Sequence, residues 1–216
     1  MTTHIYLVGL KGSGKSTIAK LLGEQLRVDV IDGDEITNRL LDARGYESIG
    51  KVTSPVSERG MGEKGWPIMG QAETDGVEII CGDYKDKPLI WAPGGGTVAH
   101  DYVELRNINV ELLKAWGKGF YLVPDPDDRT HCIVELASRV YEDNEIALKS
   151  GNMANYRHPI SPEAKKITGS KLRAQEVDME IHWDKRHELY RVAAEITIPT
   201  RDKTPEQIAE EIMRAA

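Results

Sequence analysis

The sequence predicts an α/β fold, a mostly parallel five-stranded sheet covered by helices on both faces. Two observations carry this. Five short runs rich in β-branched and aromatic residues recur along the chain, separated by stretches with helical spacing of apolar residues. Most of these runs break into glycine, proline or aspartate at their carboxyl ends, as strands do where they leave a sheet.

The first run, Ile5-Tyr6-Leu7-Val8, stops at Gly9 and continues through a glycine-rich turn to Gly14. A helix is predicted from Ser16 to Leu26, because Ile18, Leu21, Leu22 and Leu26 share one face while Lys20, Glu24 and Gln25 lie off it. Val28-Asp29-Val30-Ile31 is the second strand and runs into Asp32-Gly33-Asp34, with a helix from Glu35 to about Arg44. Pro88-Leu89-Ile90-Trp91-Ala92 is the third and ends at Pro93-Gly94-Gly95-Gly96; Trp91 is assigned to the core. Phe120-Tyr121-Leu122-Val123 and Glu195-Ile196-Thr197-Ile198 are the fourth and fifth. Thr204 is placed to cap, and Pro205 to open, a last helix reaching Arg214. Residues 45–65 and 144–170 read as irregular, and long irregular stretches in a compact domain are often lids or binding loops.

With 216 residues the chain suits a single domain, expected to span 1–216 with an acceptor-binding insertion at about 35–75 and a lid at about 144–170. A net charge of -7 disfavours nucleic acid as a partner, since phosphate backbones are held by clustered Lys and Arg. Cys81 and Cys132 form no CxxC pair and suit a reducing cytoplasm. Neither a signal-peptide pattern nor a bilayer-length apolar run is expected, so no membrane partner is predicted, and the protein is expected to be a monomer or dimer.

The strongest motif is Gly9-x-x-x-x-Gly14-Lys15-Ser16, a full G-x-x-x-x-G-K-[ST] between a predicted strand and a predicted helix. Glycines allow the tight turn that directs backbone N–H groups inward, and the helix N-terminus adds positive potential. Gly9, Gly12, Ser13, Gly14, Lys15, Ser16 and Thr17 are therefore the expected ATP-binding residues. Lys15 is assigned to the β- and γ-phosphates and Ser16 to Mg2+.

Asp32 and Asp34, two residues apart, leave the same face while the chain stays extended. One suits magnesium through its water shell and the other suits accepting the proton of an attacking hydroxyl. An aspartate here also suits the helix N-cap before Glu35. Three glycines at the end of the third strand leave room for a substrate beside bare backbone.

Residues 8–17, Asp32-Gly33-Asp34, Gly94-Gly95-Gly96 and the run from Lys185 to Ala193, similar to R-x-x-L-Y-x-x-V-A, together resemble the shikimate kinase family. The resemblance implies a P-loop kinase fold and transfer of the ATP γ-phosphoryl group to a hydroxyl of a small carboxylate or polyol, with shikimate the best single acceptor. It further implies Ser16 and Asp32 at the metal, Asp34 as base, Gly94, Gly95, Gly96 and Arg186 at the acceptor, Arg157 of Arg157-His158-Pro159 as a lid arginine, and Pro205 near adenine. Arg186 also suits a helix-surface charge, and Arg157 an ordinary turn arginine.

The family's F-R-x-x-E segment has no arginine here. Between Gly62 and Glu73 the sequence offers Trp66 for the aromatic, with Pro67 then standing at the arginine, and Arg59 as a cation from elsewhere. A gluconate-type sugar-acid kinase, a nucleotide kinase and a non-catalytic nucleotide switch are the other readings compatible with the loop.

Overall fold

The computed structural model describes residues 4–46, 64–151 and 161–216. Five parallel strands form one sheet in the order β2-β3-β1-β4-β5: β1 His4–Val8, β2 Asp29–Asp32, β3 Leu89–Ala92, β4 Lys118–Val123 and β5 Ile196–Pro199. The helices are α1 Lys15–Leu26, α2 Gly33–Ala43, α3 Gly65–Asp83, α4 Val103–Trp116, α5 Arg129–Ser150, α6 Pro162–Lys165, α7 Lys171–Ala193 and α8 Pro205–Ala215. Each of the five strands lies within two residues of its sequence-based position.

Alternation along β1 builds two cores. Ile5 and Leu7 pack with Ile18 and Leu22 of α1 and with Ile208 and Ile212 of α8. Tyr6 and Val8 face the opposite layer, with Val77 and Ile80 of α3, Leu113 of α4, Leu136 of α5 and Trp183 of α7. Trp91 lies in this second core. Because α1 leaves β1 on one face and α4 follows β3 on the other, a crevice opens at the carboxyl ends of these neighbouring strands, where ligands bind in open α/β sheets.

Helix ends are closed by local chemistry. Thr204 accepts from the Gln207 amide at 3.4 Å while Gln207 Oε1 accepts from the Thr204 N–H at 2.8 Å, a reciprocal capping box opening α8. Asp128 and Ser170 cap α5 and α7 by accepting the N–H groups of His131 and Arg173.

One expectation needs correction. Residues 144–150 are not irregular: they form the last two turns of α5, which closes at Gly151 in the left-handed conformation. Asn144 and Ala147 are buried there, so packing against neighbouring helices outweighs the weak periodicity of a polar run. Among the described residues no helix is long and apolar enough to cross a membrane.

Candidate active site

The loop after β1 turns through Gly12 and Gly14, both at positive φ (79° and 86°), where a side chain would strain the backbone. Gly14 is the N-cap of α1 and supplies no side-chain cap, so the first N–H groups of that helix have no side chain competing for them. The Lys15 ammonium, half-buried, donates to the carbonyls of Gly9 at 2.8 Å and Leu10 at 3.1 Å. Burial lowers its pKa to about 8 despite the opposing pull of Asp34 and Asp32. Gly9 is buried behind the loop, where a Cβ would come within 2.7 Å of the Leu122 carbonyl.

Asp32 serves two ends at once. As N-cap of α2 it accepts the Asp34 N–H on Oδ1 at 3.0 Å, and its Oδ2 accepts the Ser16 hydroxyl at 3.2 Å. The cap and metal roles, treated as alternatives above, are thus compatible. Asp34 is not extended, as strand alternation assumed, but already lies in the first turn of α2. Its carboxylate nevertheless faces the glycine loop after β3: a Cβ on Gly94 would stand 2.7 Å from Asp34 Oδ1. A single cleft of about 720 Å3 is lined by Gly12, Ser13, Gly14, Lys15, Ser16, Thr17, Asp32, Asp34, Gly94, Gly95 and Pro205. A separate cavity of about 590 Å3 between α5, α6 and α7 shares none of these residues.

Gly96 and Arg186 lie outside the lining of that cleft, and Glu73 joins them. Glu73, only 5% exposed, sits so close to the glycines that a Cβ on Gly96 would fall 2.6 Å from its Oε1. Burial, reinforced by Asp34 and opposed by Arg186, raises its pKa to about 8, so it is largely protonated at neutral pH. On α7, Tyr190 donates to the Gly95 carbonyl at 2.6 Å. Arg186, one turn earlier on the same face, acts electrostatically on Glu73, Tyr190 and His100. Among the described residues no carboxylate lies within 4 Å of its guanidinium, and it is half-buried rather than a free surface charge.

Several residues here escaped the sequence. Glu73 had a legible signal: with Met69, Ala72, Val77 and Ile80 it occupies the buried stripe of α3, where an unpaired glutamate is out of place. Arg139, which donates to the Gly12 carbonyl at 3.3 Å, and Lys11, which pairs with the buried Asp178, had none, since both contacts join segments far apart in the chain. Arg157 and Arg59 lie outside the described residues.

Comparison with known proteins gives the family. The family model described as Shikimate kinase matches residues 11–216. The chain belongs to the shikimate kinase family. It is 24% identical over 99% of its length to the shikimate kinase of Rhodopirellula baltica, covering 90% of that protein. With the shikimate kinase of Bacillus cytotoxicus the identity is 27%, over 97% of this chain and 96% of the relative. A shikimate kinase from Acinetobacter baumannii, solved in complex with shikimate, shares the fold at a TM-score of 0.67 and 23% identity, covering 100% of this chain and 93% of the other. As a member of the shikimate kinase family the chain is an ATP-dependent small-molecule kinase.

The geometry also resets the F-R-x-x-E register. Glu73 lies against the glycine loop, and taking it as the glutamate of that segment puts Gly70, not Pro67, three residues back at the arginine position. Trp66 stands a further turn back, partly exposed.

Proposed function

We propose that this shikimate kinase family member transfers the γ-phosphoryl group of ATP to a hydroxyl of shikimate, in the cytoplasm and with Mg2+. The observation that carries the reading is that Asp34 and Glu73 lie against Gly94 and Gly96, next to the phosphate loop, with Arg186 near enough to act on Glu73. A guanidinium with no carboxylate within 4 Å among the described residues suits a single acceptor carboxylate, which it can meet with two parallel hydrogen bonds.

In this reading the backbone from Gly12 to Thr17 and the Lys15 ammonium hold the phosphates, and Pro205 lies at the adenine end of the cleft. Ser16 Oγ and Asp32 Oδ2, hard oxygen donors 3.2 Å apart beside the loop, fit magnesium, which takes few protein ligands beside phosphate and water. When bound it neutralises charge on the β- and γ-phosphate oxygens. Asp34 accepts the proton of the attacking hydroxyl; the new bond joins that oxygen to phosphorus, the β–γ bridging bond breaks, and ADP leaves. Residues 35–75 form the acceptor side. The lid, expected over 144–170, is confined in this reading to the part beyond α5, which ends at Ser150, with Arg157 as its arginine.

The test is product identification by mass after incubation with magnesium ATP and shikimate, with gluconate and nucleoside monophosphates as comparison acceptors. Phosphorylated shikimate is the expected product. ATP hydrolysis without transfer, or transfer only to a comparison acceptor, would overturn the proposal.

A further inference from the structure

We infer that His100 belongs to the acceptor site, where its Nε2–H donates a hydrogen bond to an oxygen of the bound acceptor, and that Gly70 is glycine so that the imidazole can lie there. This rests on the acceptor reading above and deepens it.

Four observations converge on the ring. His100 follows Gly96 by four residues and is 5% exposed. Its Nδ1 accepts the Tyr102 N–H at 3.0 Å, which in a neutral imidazole places the proton on Nε2. That nitrogen is buried; the Trp66 carbonyl is near enough to act on the ring, but among the described residues no acceptor meets Nε2–H in hydrogen-bonding geometry. A Cβ on Gly70 would overlap the imidazole, so any larger residue at position 70 displaces it.

The ring lies against the same face of α3 that carries Glu73. Gly70 and Glu73 are one turn apart on α3, on the face that meets the triple glycine, and Arg186 acts on both Glu73 and His100. Burial, with Arg186 and Arg106, holds the imidazole below its usual range against Asp101 and the nearby Trp66 carbonyl, so the ring is a neutral donor at pH 7. A buried N–H left with only a misaligned carbonyl is costly, and an acceptor oxygen placed against it relieves that cost on binding. The acceptor is thus held by one permanent cation, Arg186, and one neutral donor.

The wild-type chain is compared with His100→Phe, which keeps a ring without the N–H, and His100→Gln, which extends an amide N–H to similar reach. His100→Phe is expected to raise KM for shikimate about 10-fold while KM for ATP stays unchanged, and His100→Gln to recover most of the loss. Calorimetric titration with shikimate should give the same order. Gly70→Ala, which moves the ring without removing it, should shift the acceptor KM in the same direction and serves where His100→Phe fails to fold. An acceptor KM that stays within about twofold of wild type in His100→Phe or, should that variant not fold, in Gly70→Ala would overturn the inference. So would a rise in both KM values together with a lowered Tm, the mark of a structural histidine. Absence of shikimate phosphorylation by the wild-type chain would overturn the proposed function itself, and this inference with it.

Discussion

The Ser16 hydroxyl donates to Asp32 Oδ2 across 3.2 Å, joining the first turn of α1 to the end of β2. Since Asp32 also caps α2, one carboxylate holds a helix end and faces the phosphate cleft. Asn is as good an N-cap as Asp but lacks the charge. Asp32→Asn should therefore leave Tm nearly unchanged while raising the magnesium concentration needed for half-maximal activity by about 10-fold or more. Magnesium titration of the rate, beside a thermal melt, checks both halves.

Asp34 faces the bare backbone of Gly94, where a hydroxyl can approach it. Asp34→Asn should lower kcat by about 10²- to 10⁴-fold with KM for ATP little changed, as expected when a base rather than a binding group is lost. Steady-state kinetics with ATP varied at saturating acceptor distinguishes this from a general loss of binding.

Glu73 carries a pH signature in stability. Its folded pKa of about 8 lies above the unfolded value of 4.5, so the native state keeps a proton that the unfolded chain releases between these pH values. The stability it supports is fully present below 4.5 and is lost as pH rises to about 8. Glu73→Gln, permanently neutral, should match wild type near pH 5 and exceed it by on the order of 2 kcal/mol at pH 8.5. Urea unfolding of both proteins at the two pH values measures the difference.

The Lys15 ammonium, with its pKa lowered to about 8, is present below that pH and lost above it in the free enzyme. The kcat/KM for ATP should thus fall above about pH 8, whereas kcat, measured with phosphate already beside the ammonium, should hold to higher pH. A pH–rate profile in which both decline together would reject this assignment.

Asp178 is wholly buried and accepts both the Lys11 ammonium and, at 2.8 Å, the Ser161 N–H. Asp178→Ala leaves both donors without that carboxylate. The expected loss is on the order of 2 kcal/mol, below the figure for a fully buried pair because Lys11 is 26% exposed. A raised KM for ATP should accompany it, since Lys11 belongs to the phosphate loop.

The strands, the phosphate loop and the α8 cap were readable because each is local: a period of two, a fixed glycine spacing, Thr204 followed by Pro205. Asp34 was recognised for its chemistry but on the wrong geometry, since a helix rather than extended chain turns it toward Gly94. Residues 144–150 were misread because burial of Asn144 and Ala147, not periodicity, keeps them helical. The R-x-x-L-Y run gains its physical reason only in three dimensions, where Tyr190 binds the Gly95 carbonyl and Arg186 shares its face.

By itself the sequence determined the strands, the phosphate cradle and the family, each read from motifs whose own residues lie a few positions apart. Only the tertiary structure decided that Glu73 lies against Gly96, that Gly70 makes room for His100, and that Asp178 holds Lys11. These contacts join residues 23 to 167 positions apart, and packing alone determines which distant side chains share a buried site.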